Sequence, residues 1–272
     1  MPTLSLADGA IAYNVAGSGG PALVFIHGYS CTAEDWRLQV KDLAAVTTCI
    51  SLDLRGHGRS APANTRLTMA TFATDVIALL DALSIETAVL VGHSMGTRIA
   101  LEAALLAPAR VSGLVLVDGS KVEADPEAVR RQIHTAIGTD GFAGWSAKNM
   151  GDMFLDKLSS EDRRRIVERA IALGPELGVD LYVDMTAWDQ GRLDLAAARV
   201  EVPVCVIQAT SVLPGPARAR CYVNEAPDSP WLKVWRSQER ADIVLLEGAG
   251  HFAMLEQPGQ VNAAISDLIK QI

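Results

Sequence analysis

The sequence predicts an α/β fold in which a mainly parallel, doubly wound sheet carries helices on both faces and a helical cap insertion late in the chain. Three observations point to it. Short apolar runs bounded by Gly and Pro alternate with longer segments of helical period, the sequence form of such a sheet. Several of those runs (ALVFI at 22–26, LVLV at 114–117, IVLL at 243–246) are apolar without alternation, as strands buried on both faces are. The strand pattern stops at about residue 121 and resumes at about 199.

Taken in order, strands are expected within 10–17, 21–28, 47–54, 87–94, 111–120, 202–210 and 241–250. Between the third and fourth, Met69, Phe72, Val76, Leu79, Leu80 and Leu83 recur at i, i+3, i+4, so 68–84 forms an amphipathic helix capped by Thr68 or Thr71. The stretch 95–109 is rich in Ala and Leu, strong helix formers, and Pro108 closes it. Within the insertion, 125–137, 159–173 and 178–190 are candidate helices. The expected organisation is a core of 1–120 and 199–272 with a helical cap, or lid, over 121–198.

Composition narrows the function. At 272 residues, 49% hydrophobic and 21% charged, the chain has enough apolar material for one large core. A formal net charge of -8 repels polyanions, so neither nucleic acid nor an acidic membrane is an expected partner, and a small neutral or apolar substrate is. The first fifteen residues lack the basic and apolar regions of a secretory signal, which makes a cytoplasmic location the expectation. No apolar run is long enough to cross a bilayer. Cys31, Cys49, Cys205 and Cys221 form no C-x-x-C pair, and Cys49 and Cys205 sit in strand runs as small buried hydrophobes. The glycines at 17, 19 and 20 precede a strand rather than a helix, and metal-ligand spacing is absent. No cofactor and no metal are therefore expected. Oligomeric state is not legible.

The chemistry centres on Gly92-His93-Ser94-Met95-Gly96, a G-x-S-x-G pattern between a strand and a helix. A nucleophile on so tight a turn needs small residues two before and two after it. Near the C-terminus, Gly248, Ala249 and Gly250 permit a sharp bend that delivers His251 to the same sheet edge. An imidazole with an ordinary pKa of about 6.5 takes and returns a proton near neutral pH. His27, His57 and His93 are expected to be structural, and His134 belongs to the insertion.

With these residues in place, the chain resembles the α/β-hydrolase superfamily over nearly its whole length outside the insertion. The resemblance rests on the blocks FIHGYS (25–30), DLRGHGRS (53–60), GHSMG (92–96) and GAGHFAMLEQP (248–258) in the family's order. It implies Ser94 as nucleophile, His251 as general base, and an oxyanion hole of the backbone N–H groups of Tyr29 and Met95. The block 53–60 is implied to be structural. One departure matters: most relatives carry an Asp in a turn after the strand equivalent to 202–210, whereas here Gln208-Ala209-Thr210-Ser211-Val212-Leu213 contains no acid. A base still needs an orienting carboxylate. Asp118, one strand after the nucleophile, matches the acid of a minority of the superfamily; Glu225 and Asp228 are rivals, and Glu123 and Asp125 weaker ones. Tyr29, Trp145, Phe154 and Trp188 are candidate substrate contacts, and Arg98 is expected in a surface or lid ion pair. The functional expectation is a serine hydrolase for a small, largely apolar ester, lactone or thioester. Cofactor-free oxygenation of a hydroxylated heteroaromatic and a slow-turnover ligand receptor are the alternatives.

Overall fold

A computed structural model of the chain describes residues 2–60, 65–155, 157–213 and 220–272. The strands are β1 (Thr3–Leu6), β2 (Gly9–Ala16), β3 (Ala22–Ile26), β4 (Thr48–Asp53), β5 (Ala88–His93), β6 (Val111–Val117), β7 (Val204–Gln208), β8 (Thr210–Val212), β9 (Arg220–Tyr222) and β10 (Ala241–Leu245). The helices are α1 (Arg37–Leu43), α2 (Met69–Ala82), α3 (Met95–Leu106), α4 (Pro126–Gly151), α5 (Ser160–Ala172), α6 (Pro175–Gly191), α7 (Leu193–Arg199), α8 (Pro230–Arg236), α9 (Ala253–Glu256) and α10 (Pro258–Ile269).

Eight strands form the main sheet in the order β1-β2-β4-β3-β5-β6-β7-β10. β1 and β2 run antiparallel to their neighbours, and every pairing from β4 to β10 is parallel. The chain steps from β3 to β4 in one direction, then doubles back to β5 and continues to β6. Right-handed crossovers taken in opposite directions place their helices on opposite faces. α1, joined by α10, therefore covers one face, while α2, α3 and α7 pack together over the other. Every residue of β3, β5 and β7 is buried, which is why those runs lack alternation. β10 departs from the expectation for its run IVLL: it is the last strand of the sheet and only partly buried, with Leu245 41% exposed. Apolar content alone does not separate an edge strand from a central one.

Thr68 caps α2, its hydroxyl accepting from the Thr71 N–H at 3.1 Å, and Asp125 caps α4 at Ala128. Between β6 and β7 lie α4 to α7, fixed to the core through buried charge. Arg98 on α3 donates Nε and Nη2 to the Asp189 carboxylate of α6, both at 2.7 Å, and Asp189 also accepts from the Val122 N–H. One turn on, Glu102 accepts from the Trp188 indole and the Arg192 guanidinium. Of the surface or lid ion pair expected for Arg98, the pair formed is the one with the insertion, and it is buried. Losing one partner of such a pair strands the other charge away from water. Arg98→Ala is expected to lower the unfolding free energy by about 3–5 kcal/mol, as read from the urea midpoint at unchanged slope; a loss within about 0.5 kcal/mol, typical of a surface substitution, would contradict it. Among the described residues no helix is long and apolar enough to cross a membrane.

Candidate active site

The reversal of strand order at β3 opens a crevice at the carboxyl edge of the sheet, where open α/β sheets bind ligands. Five segments converge there, each just beyond the end of a strand. Those after β3, β5, β6, β7 and β10 carry Tyr29, Ser94, Asp118, Thr210 and His251 respectively.

Ser94 links β5 directly to α3 with φ +52° and ψ −110°, a strained conformation held by its N–H donating to Val117 O at 3.0 Å. The turn leaves no room for a side chain on either flank: a Cβ at Gly92 would lie 2.2 Å from Gly96 O, and one at Gly96 2.3 Å from Ile26 O. Met95 is the first residue of α3, so its N–H has no intrahelical acceptor. The loop after β3 closes against this elbow, since a Cβ at Gly28 would stand 3.2 Å from Ser94 Cβ. His27 secures that loop. Its Nε2 accepts from the Leu54 N–H at 2.9 Å, so its proton sits on Nδ1 and is donated to Gly28 O.

His251 is held by its own backbone. Its carbonyl accepts from His93 Nε2 at 2.8 Å, the two rings lie 4.7 Å apart, and the preceding Gly250 N–H donates to Glu256 at 2.7 Å. His93 thereby joins the residue before Ser94 to the His251 loop. The imidazole Nδ1 faces Asp118 Oδ2 at 2.6 Å. Asp118 is fully buried at φ +46°. Its Oδ1 accepts from the N–H groups of Ala209 and Thr210 at 2.9 and 2.7 Å, and its Oδ2 from the Thr210 hydroxyl at 2.6 Å. Burial pushes this carboxyl upward, but His251, Arg220 and Thr210 together hold it below the ordinary Asp value. Burial, and then the Arg220 cation, push His251 down to about 4. The imidazole is therefore neutral at pH 7. With Nδ1–H given to Asp118, the free lone pair of the ring is on Nε2.

The other carboxylates stand apart. Glu225, Asp228, Glu123 and Asp125 are exposed; Asp228 pairs with Arg236, and Asp125 is occupied in capping α4. Of the aromatic residues expected at a pocket, Tyr29 is buried, donating its hydroxyl to Gly178 O at 3.2 Å with its ring edge-on to Tyr182. Trp145 packs on Tyr182 and, with Arg220, helps line a cavity of about 300 Å³ between α4, α6 and the β8–β9 hairpin. Phe154 stacks on Phe252, next to His251. Trp188 is turned away, because its indole N–H is drawn to Glu102 in the interior of the core. Sequence reasoning passed over Thr210 and Arg220. Thr210 had a signal, since it occupies the turn where relatives place an acid; Arg220, on a strand of three residues, had none. Among the described residues no three His, Cys, Asp or Glu side chains converge as metal ligands would.

The model of the alpha/beta hydrolase family matches residues 23–264. The chain belongs to that family. As a family member it is 30% identical, over 92% of its length, to the dihydrolipoyllysine-residue acetyltransferase component of the acetoin cleaving system of Pseudomonas putida, of which it spans 64%. Among solved structures it is similar to an esterase of Thermogutta terrifontis, with a TM-score of 0.80 at 22% identity over 100% of this chain and 99% of that one. It is also similar to the enol-lactonase of Burkholderia xenovorans, with a TM-score of 0.77 at 20% identity over 99% of this chain and 100% of that one. At these identities the structural likeness bears on the fold.

Proposed function

We propose that this chain is a serine hydrolase that cleaves a small, largely apolar carboxylic ester or lactone through an acyl-enzyme on Ser94. The observation that carries the reading is the 2.6 Å contact between Asp118 Oδ2 and His251 Nδ1, at the sheet edge where Ser94 sits on its strained elbow. Esterase and lactonase neighbours are in keeping with it.

In the proposed reaction His251 Nε2 takes the Ser94 hydroxyl proton as Oγ bonds to the substrate carbonyl carbon. The electron pair displaced onto the carbonyl oxygen is met by the N–H groups of Tyr29 and Met95. Collapse of the tetrahedral species breaks the bond to the leaving oxygen, which receives the proton from His251. Water then repeats the sequence: His251 takes its proton, hydroxide adds to the acyl carbon, and Ser94 leaves with the proton returned. Asp118 stays ionised throughout and balances the transient imidazolium. Helices α4 to α6 act as the lid, and the cavity between α4, α6 and the β8–β9 strands, walled by Trp145 and Tyr182 and reaching Arg220, receives the apolar part of the substrate.

An organophosphonate ester tests this, because it reacts only with an activated nucleophile. Peptide mass mapping is expected to find one adduct per chain, on Ser94, with loss of p-nitrophenyl ester turnover in step with labelling. A chain left unmodified at reagent excess, or modified elsewhere with turnover intact, would remove the proposal.

A further inference from the structure

Arg220 reaches the buried Asp118–His251 pair from β9, with its side chain 9% exposed. Its Nη1 lies 2.5 Å from Thr210 Oγ1, 3.2 Å from Asp118 Oδ2 and 3.1 Å from His251 Nδ1. Only one assignment of protons satisfies all four groups and leaves the imidazole a base. Arg220 donates to the Thr210 hydroxyl and to Asp118, Thr210 donates to Asp118, and His251 Nδ1–H donates to Asp118. Were Arg220 to donate to a bare Nδ1 instead, the ring proton would move to Nε2, and the face meant to accept a proton would be a donor. Thr210 prevents this by offering the guanidinium a better acceptor.

A cation fixed 3.1 Å from the nitrogen that shares the imidazolium charge opposes that charge directly, at a site from which water is excluded. We propose that Arg220 is a positioning residue that keeps His251 in its neutral, proton-accepting form into the acid range, so that turnover persists at pH values where an ordinary histidine would be protonated. The inference rests on the reading of His251 as the general base. The other charged groups around the ring are accounted for. Asp118, at the end of β6, favours the imidazolium. Arg98 on α3 adds a second positive charge that disfavours it. His93, at the end of β5, is itself held neutral, burial pushing it down to about 3. Glu256 on α9 is bound to the Gly250 N–H, and Lys157 lies against Gly248 of the same loop.

The pH profile of kcat/KM for wild type, Arg220→Gln and Arg220→Lys tests the proposal. Removing the charge should raise the acid-limb midpoint from about 4 by about one pH unit, so that Arg220→Gln loses about twofold more activity, relative to wild type, at pH 5 than at pH 8, and about fivefold more at pH 4. Arg220→Lys should leave the limb near its wild-type position. A limb that stays put in Arg220→Gln, even with a lower kcat, overturns the proposal, as does an equal shift in both variants. Should the Gln variant fail to fold, ring ¹⁵N and ¹³C titration of His251 in the unaltered protein decides: a midpoint at about 6.5 overturns it. The titration needs no substrate, so a His251 midpoint that differs between wild type and Arg220→Gln in a chain that fails phosphonate labelling would sink the hydrolase reading and leave the effect of Arg220 standing.

Discussion

Ser94→Ala is expected to lower kcat on an ester substrate by about 10⁶-fold while leaving the melting temperature close to that of the wild type. The chemical loss is large because the acyl-enzyme needs the Ser94 oxygen, the Thr210 hydroxyl at the same edge being committed to Asp118. The structural loss is small because the elbow is held by backbone groups that alanine retains. The residue 94 N–H donates to Val117 O, and the residue 94 carbonyl accepts from the Thr97 hydroxyl at 2.6 Å and from Arg98 at 3.3 Å. The positive φ is as costly for alanine as for serine, so the strain is unchanged. Residual turnover, about 10³–10⁴-fold above water, would come from the oxyanion donors and substrate positioning. The same variant separates the three readings drawn from the sequence. Cofactor-free oxygenation needs the His251–Asp118 pair but no hydroxyl at 94, so undiminished oxygen uptake with a hydroxylated heteroaromatic would favour it. A slow-turnover receptor would show a stoichiometric burst in the wild type, absent in the variant. Full ester turnover by Ser94→Ala contradicts the acyl-enzyme outright.

How far the sequence reached follows from the range of the forces involved. β3, β5, β6 and β7 were legible because each is a short apolar run between turn residues, and the capping of α2 by Thr68 because a cap is a contact within three residues. The nearness of Asp118 to His251 was legible by default: a proposed base needs an orienting carboxylate, and the turn after β7 has none. The misses are all tertiary. The run 243–246 is as apolar as a central strand, and the strand order shows β10 to be an edge. β8 and β9 are three residues each, too short for any period, so the hairpin that carries Arg220 to Asp118 left no trace. Trp188 lies on a helix with buried residues on nearly every side, and its direction was decided by Glu102 on α3, 86 positions away.

Asp118→Asn is expected to lower kcat by about 10⁴-fold with the backbone undisturbed. Asparagine is among the residues that tolerate the left-handed region, so φ +46° does not count against it. The damage arises from one atom. To keep the Ala209 and Thr210 N–H groups satisfied, the amide must turn its oxygen toward them, as Oδ1 does now at 2.9 and 2.7 Å. Its NH₂ then replaces Oδ2, which in the wild type accepts from Thr210, Arg220 and His251. A donor now faces His251 Nδ1. The ring answers by moving its proton to Nε2, so Ser94 meets a donor where a base is required, and the developing imidazolium loses its countercharge while Arg220 remains beside it. Phosphonate labelling, which uses the same proton transfer, should slow in parallel with ester turnover. Glu225→Gln, at an exposed position, should match the wild type in both measurements; if it reproduced the loss and Asp118→Asn did not, the carboxylate serving His251 would have to be sought in the stretch before it.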